Sequence, residues 1–225
     1  MSVTPEQLAQ VYPMLLHMAE PDTWNSIRQH GLLSTSRLLS LFDVKGQERF
    51  DIEAKRRPVS VSIAHPKYGR AVIRDQKPLI QSKLVKTLEG CTAEEWYRLL
   101  NRRVFFWLTK DRLDTLLCAN TYAGNNHTVL TLDTLSLVKA HEERITLSHM
   151  NTGNTRPFAH PRGPDTFKKL EEYPFAERAK RGPNDRVVEL VVEGGVTDIE
   201  RYVLKVDVMR CQGGKGRVLR TIFKR

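Results

Sequence analysis

The sequence predicts an α+β fold with a sizeable core, and one observation supports each part of this prediction. Segments with strand-like alternation and segments with helix-like spacing of apolar residues occur throughout the chain, without the regular strand–helix alternation of a doubly wound sheet. Hydrophobic residues make up 40% of the 225 residues, which is enough for a sizeable core. We therefore expect a single domain over residues 1–225.

Capping signals and apolar runs define the elements of the N-terminal half. A capping box at Thr4 and Gln7 starts the first helix, and a buried strand follows over residues 14–18. Asp22 is predicted to cap a second helix that ends at Gly31. The further elements predicted here are a helix over 35–42, strands over 59–63 and 71–73 around a turn at 66–69, and a helix from a capping box at Thr92 to Leu100.

The C-terminal half is predicted to contain the central strands. Residues 104–108 (VFFWL) form the most apolar of them, and a helix over 111–119 follows with leucines on one face. Residues 151–186 are rich in Gly, Pro, Asn, Arg and Lys, which predicts a long functional loop with a short helix. Further strands are predicted over 127–132, 187–193, 202–209 and 217–223.

The charge balance indicates a polyanionic partner. The chain has 36 Lys and Arg against 26 Asp and Glu, which gives a formal net charge of +10. Such an excess attracts nucleic acids, and it suits a phosphate-rich dinucleotide almost as well.

The cysteines and the apolar runs predict a cytoplasmic protein without a membrane partner. Cys91, Cys118 and Cys211 are far apart and odd in number, so we expect reduced core thiols rather than disulfides or a zinc site. The first residues show no basic segment followed by a long apolar one, so no secretory signal is expected. The longest apolar runs are too short to cross a bilayer.

Several common site motifs are incomplete or missing in the sequence. The segment 213–216 (GGKG) lacks the spacing of a phosphate-binding loop, and His141-Glu142-Glu143 has no second histidine at the spacing of a metalloprotease. Neither G-x-S-x-G nor G-x-G-x-x-G occurs. Serine-hydrolase chemistry, a Rossmann NAD site and a metal site are therefore disfavoured.

Three separated segments share a pattern with one known superfamily. They are residues 15–19 (LLHMA) with 24–34 (WNSIRQHGLLS), residues 104–112 (VFFWLTKDR), and residues 186–196 (RVVELVVEGGV) with the strand after them. Together they resemble the ADP-ribosyltransferase superfamily, in particular its branch of toxins that modify nucleic acids and an uncharacterised bacterial family of the same type. The resemblance implies a split β-sheet core with peripheral helices, and NAD as a co-substrate.

Glu189 is the catalytic residue that the resemblance implies. A glutamate among Val and Leu in a strand is costly unless it is paired or functional. The implied role is to hold the 2′-hydroxyl of the nicotinamide ribose, to stabilise the oxocarbenium-like charge and to assist the incoming nucleophile. The alternatives are an edge-strand glutamate that faces water, and Glu193, which shares the face of an ideal strand, as the catalytic group. No acid stands two residues before Glu189, so modification of arginine is disfavoured.

The resemblance also implies a set of NAD-binding residues. His17 is expected to donate a hydrogen bond to a ribose hydroxyl, a basic residue to approach the phosphates, and an aromatic ring to stack on nicotinamide. A lone histidine in a strand is otherwise usually a satisfied core residue. The residues assigned to NAD are His17, Asn25, Gly31, Leu32, Lys110 or Arg112, and Tyr122.

The loop at 151–186 corresponds to the segment that contacts the target in the resembling family. Its cations and aromatic rings suit phosphates and stacked bases, although a solvated loop with hydrophobic anchors explains them equally well. The residues assigned to the substrate are Arg156, Arg162, Lys168, Lys169 and Tyr173.

These observations favour transfer of ADP-ribose from NAD to a DNA or RNA base. The resemblance implies a toxin or phage-defence effector, with an antitoxin protein as a candidate partner. One alternative is an RNA 2′-phosphotransferase, which shares the fold and consumes NAD but needs a His and Arg set that cannot be placed here. Another is a catalytically silent nucleic-acid-binding module on the same fold.

Overall fold

Within residues 3–225, which the computed structural model describes, the strands form one eight-stranded antiparallel sheet and two small two-stranded sheets. The strands are β1 (Met14–Ala19), β2 (Leu32–Leu33), β3 (Val61–His65), β4 (Gly69–Ile73), β5 (Arg103–Trp107), β6 (His127–Asp133), β7 (Ile145–Ser148), β8 (Lys168–Lys169), β9 (Glu189–Glu193), β10 (Gly195–Val196), β11 (Val203–Gln212) and β12 (Lys215–Lys224). The order in the large sheet is β12-β11-β6-β1-β5-β9-β7-β8, while β2 pairs with β10 and β3 with β4.

Helices surround the large sheet. The α-helices are α1 (Pro5–Val11), α2 (Trp24–His30), α3 (Thr35–Leu41), α4 (Gly46–Glu53), α5 (Gln81–Leu84), α6 (Ala93–Asn101), α7 (Lys110–Leu117), α8 (Thr134–His141) and α9 (Pro183–Arg186). Short 3-10 helices occur at Val85–Thr87, Glu142–Arg144, Pro164–Thr166, Glu177–Arg181 and Ile199–Arg201. The α+β prediction is confirmed, with a large antiparallel sheet and peripheral helices.

Both faces of the central strands are buried, which explains their nearly continuous apolar sequence. In β9, Leu190 and Val192 join the main core, to which α1, α2 and α8 contribute. Val191, between them in sequence, packs in a second cluster with Trp96 of α6. A third cluster, which includes Leu113 of α7, covers the same side of the sheet near β6 and β11.

The sheet is weakly joined in its middle. In the described part of the chain a single residue pair, Leu16 with Trp107, links β1 to β5. By contrast, β1 pairs with β6 through six residues and β5 pairs with β9 through five. The two halves of the sheet therefore diverge between β1 and β5.

Side-chain caps fix several helix starts as the sequence predicts. Thr4 and Thr92 both form complete capping boxes. The predicted cap at Asp22 is wrong, because Thr23 is the N-cap residue of α2 and Asp22 lies in a turn with φ 60°. Helices α4, α5 and α8 were not predicted, nor were strand β7 and the two-residue strands β2, β8 and β10.

The expectation of three reduced thiols is wrong for two of the cysteines. Cys118 and Cys211 form a disulfide with a Cα–Cα distance of 5.1 Å, although 93 positions separate them in sequence. They meet because β11 passes beside the C-terminal end of α7, a tertiary contact that cysteine spacing does not reveal. Cys91 is free.

No helix among residues 3–225 combines the length and the apolar character that a bilayer span requires.

Candidate active site

A cavity of about 750 Å³ opens where β1 and β5 diverge. Its volume falls within the range of about 300–1,000 Å³ that is usual for small-molecule and cofactor sites. Seven of the residues assigned from the sequence line it: His17, Gly31, Leu32, Arg112, Tyr122, Arg156 and Glu189.

Glu189 is a buried carboxyl group in the wall of this cavity. It is the first residue of β9, opposite Trp107 of β5 and Ser148 of β7. Its side chain accepts a hydrogen bond of 2.7 Å from the Thr152 hydroxyl, and the Thr152 backbone N–H lies 3.2 Å from both carboxyl oxygens. With 3% of its surface exposed, Glu189 does not face water, so the edge-strand alternative is wrong.

Burial raises the pKa of Glu189 to about 7, because the charged form loses its hydration. The hydrogen bonds from Thr152 and the positive charges of Arg162 and Arg112 act in the opposite direction, since they favour the carboxylate. Both protonation states are therefore accessible near neutral pH, which suits a group that exchanges protons or balances a developing charge.

Glu193, the second choice for the catalytic group, lies elsewhere. Its side chain is 47% exposed and forms an ion pair of 3.3 Å with Arg103 at the far end of β9. Within the described residues it is not part of the cavity lining.

His17 presents one ring nitrogen to the protein. Its Nδ1 lies 2.9 Å from the carbonyl oxygen of Phe105 and donates to it. Burial lowers the pKa of His17 to about 4, so the ring is neutral at physiological pH. In the neutral tautomer with a protonated Nδ1, Nε2 carries a lone pair and accepts hydrogen bonds. The ring is thus set to accept from a hydroxyl group, whereas the sequence analysis expected it to donate.

Of the two basic residues proposed for the NAD phosphates, Arg112 lines the cavity. Its Nε donates to the carbonyl oxygen of Asn184 at 3.1 Å, and its guanidinium pairs with Asp185. Lys110 is exposed and instead forms an ion pair of 2.6 Å with the buried Asp114 on the same helix. The structure therefore brings Arg112, rather than Lys110, to the cavity.

Arg74 is a cavity residue that the sequence analysis missed. Its guanidinium carbon lies 4.6 Å from the centre of the Tyr122 ring, and Nη1 donates to the carbonyl oxygen of Met18 at 2.9 Å. Its Nη2 is buried without a hydrogen-bond partner among the described residues. Tyr122 is itself fixed, since its hydroxyl donates to Asp75 at 2.6 Å. The charged pair Arg74-Asp75 directly after a strand was the available signal for this residue.

The segment that joins α2 to β2 forms another wall of the cavity. Gly31 ends α2 with φ 87°, and a Cβ atom there would lie 2.5 Å from the Cα of Thr197. Leu32 then pairs with Val196 of β10. Asn25 is exposed on α2 and is not among the cavity-lining residues of the described chain.

The residues assigned to the substrate in the 151–186 segment separate into three groups. Arg156 is exposed and lines the cavity. Lys168 and Lys169 form β8 at the edge of the sheet. Arg162 and Tyr173 are 1% and 2% exposed, and their burial contradicts direct contact with a nucleic acid.

Arg162 and Tyr173 have structural contacts instead. Arg162 Nη1 donates to the carbonyl oxygens of Thr152 and Asn154 at 3.1 and 2.9 Å, and the Tyr173 hydroxyl donates to that of Arg186 at 2.6 Å. Arg162 therefore holds the turn that presents Thr152 to Glu189.

A family model matches residues 13–203, which cover most of the chain. The chain belongs to the family of unknown function DUF7002. The matched range contains every cavity residue described above and ends at the first residue of β11. No curated protein and no solved structure matches the chain.

Proposed function

We propose that this member of the DUF7002 family is an ADP-ribosyltransferase that transfers ADP-ribose from NAD to a nucleic acid. One observation carries the proposal: buried Glu189 and neutral His17 line the same cavity, at the point where the two halves of the sheet diverge. These are the two residues to which the motif resemblance assigns catalysis and ribose binding. The divergent sheet also suits the split core that the resemblance implies.

The chemistry of the cavity fits the parts of NAD. A ribose hydroxyl can donate to Nε2 of His17, because Nδ1 is engaged with Phe105. Arg74 has an unpartnered buried nitrogen among the described residues, and a pyrophosphate oxygen would satisfy it. Arg112 and Arg156 add positive charge on the same lining. Glu189 is left for the nicotinamide ribose.

The proposed reaction breaks the bond between nicotinamide and its ribose. The bonding electron pair leaves with nicotinamide, which departs neutral, and positive charge develops on the ribose. The Glu189 carboxylate stabilises that charge and the 2′-hydroxyl beside it. A nucleophilic atom of the acceptor then bonds to the anomeric carbon, and its proton passes to Glu189 or to water.

A nucleic acid is the acceptor that the charge of the chain favours. The net charge of +10 attracts a polyanion. The residue two positions before Glu189 is Val187, so the second acid of the arginine-specific pattern is missing from the sequence. A toxin or phage-defence role, with an antitoxin as partner, rests on the motif resemblance.

Release of nicotinamide from NAD tests the catalytic assignment. We expect the wild type to release nicotinamide and Glu189→Gln to lose activity by about 100-fold or more, as expected when charge stabilisation in a transition state is removed. The matched control is Glu193→Gln, which changes an acid of the same strand outside the cavity.

Equal loss in both variants, or no release by the wild type with DNA, RNA or cell protein present, would overturn the assignment. In the second case the alternative of a silent binding module is favoured.

A further inference from the structure

The hairpin of β11 and β12 has a row of arginine and lysine side chains on one face. Arg210 pairs with Arg217, Gln212 with Lys215, and Val208 with Arg220. Paired residues of antiparallel strands share a face, and alternate residues of β11 return to it. Arg210, Lys215, Arg217 and Arg220 therefore lie on the same face, and all four are exposed.

The opposite face of this hairpin is held by α7. Met209 packs with Leu113 and Leu117 of that helix. Gly216 N donates to Asp114 Oδ1 at 3.1 Å, and the disulfide between Cys118 and Cys211 joins the two elements covalently. The hairpin is thus fixed from one side, and its cationic face remains open to solvent.

The four cations of the hairpin have no acidic partner among the described residues. No salt bridge within residues 3–225 involves Arg210, Lys215, Arg217 or Arg220. Like charges directly opposite each other on neighbouring strands, as at Arg210 and Arg217, destabilise a sheet. A bound polyanion would offset this repulsion, because its negative charges would lie between the like positive charges.

The row leads to the rim of the cavity. Arg220, Leu219 and Val208 line a small groove together with Pro21 and Asp22. Pro21 and Asp22 also line the cavity that contains Glu189. Asp22 is thus an acid between the groove and the cavity, and the surface from the groove to the tip of the hairpin is cationic.

We propose that this face binds the phosphate backbone of the acceptor nucleic acid and guides it to the cavity mouth. The inference rests on the proposed function. Lys215 and Arg217 are alternate residues of β12 and so lie about 7 Å apart, Arg210 stands opposite Arg217, and Arg220 follows beyond a register shift in the pairing. The four cations thus form a strip along the hairpin that suits a chain of phosphates. A flat anionic membrane can contact the cations but cannot enter the groove between the hairpin and the cavity, whereas a nucleic-acid strand can. The nucleic-acid surface is thus assigned to the hairpin rather than to the 151–186 segment.

The test is oligonucleotide binding, measured by fluorescence anisotropy without NAD so that it does not depend on catalysis. The variant combines Arg210→Gln, Arg217→Gln and Arg220→Gln. The matched control combines Lys55→Gln, Lys67→Gln and Lys86→Gln, which removes equal charge from exposed positions outside the hairpin, the cavity and the 151–186 segment. Thermal unfolding of both variants verifies that they fold.

We expect the hairpin variant to bind single-stranded DNA or RNA about tenfold more weakly or worse, while the control keeps most of its affinity. Because each phosphate contact contributes a slope of about −0.7 to log affinity against log salt, the slope should become shallower by about two.

The inference is overturned if the control loses as much affinity as the hairpin variant, or if the hairpin variant binds as tightly as the wild type. It is also overturned if the wild type binds vesicles of phosphatidylserine and phosphatidylcholine but no oligonucleotide. If oligonucleotide affinity depends on the hairpin but the wild type releases no nicotinamide, the surface is supported and the catalytic proposal fails.

Discussion

Within residues 3–225, Thr152 supplies the hydrogen bonds that the Glu189 carboxylate accepts. Hydrogen bonds to the charged form of an acid lower its pKa, whereas burial raises it, and burial is the larger effect here. The balance places the pKa of Glu189 at about 7. Arg162 affects the pKa of Glu189 in two ways, because its positive charge lowers that pKa and its side chain holds the backbone of Thr152.

Replacement of Thr152 by valine should therefore alter the pH dependence of NAD cleavage. If the carboxylate is the active form, kcat/KM of the wild type rises with pH through about 7. Thr152→Val removes the hydroxyl bond and raises the pKa of Glu189, so the rising limb should move up by about one pH unit. Thr152→Ser keeps the hydroxyl and is the control. If kcat/KM of the valine variant rises at the same pH as that of the wild type, Glu189 does not determine the pH dependence.

At the scale of elements, the turn from α2 into β2 depends on glycine. Gly31 has φ 87°, and its position against Thr197 leaves no room for a Cβ atom. The close approach lets Leu32 pair with β10 and form a wall of the cavity. The helix-cap interpretation of Gly31 is thus correct, since its N–H donates to the carbonyl oxygen of Ile27 at 2.8 Å.

Gly31→Ala should lower the free energy of unfolding by about 2 kcal/mol or more, from left-handed strain together with the clash. Gly90→Ala is the matched control, because Gly90 has φ 68° with nothing within 4 Å of an added Cβ. It should lose about 1 kcal/mol from strain alone. Urea denaturation of both variants measures the difference, and equal losses would contradict a packing role for Gly31.

The elements that the sequence predicts are those with local signals. Capping boxes identify α1 and α6, and apolar runs identify β1, β5 and β6. Helix α4 has no side-chain cap, and few of its residues are apolar, so neither a capping signal nor an apolar stripe indicates a helix there. Helix α8 follows β6 without a break, because Asp133 ends the strand and caps the helix at the same time. The local signal at this junction is Asp133 alone, a residue type that caps helices, without a Gly or Pro to mark a turn.

At the scale of the whole molecule, the cavity combines segments that are remote in sequence. The motif resemblance identified His17 and Glu189 because both lie in segments with a recognisable pattern. Arg74 and Thr152 lie outside those segments, and their roles depend on tertiary contacts. The position of their loop in the resembling family, together with its composition, assigned Arg162 and Tyr173 to a binding surface, but neither says whether a side chain points outward.

The central claim is that ADP-ribose passes from NAD to a nucleic acid, and label transfer tests it most directly. NAD labelled in its adenylate phosphate is incubated with the wild type or Glu189→Gln, in the presence of DNA, RNA or total cell protein. We predict that label appears on DNA or RNA with the wild type, is lost in the glutamine variant, and does not appear on protein. Label on protein alone, or nicotinamide release that leaves every polymer unlabelled, would contradict the claim.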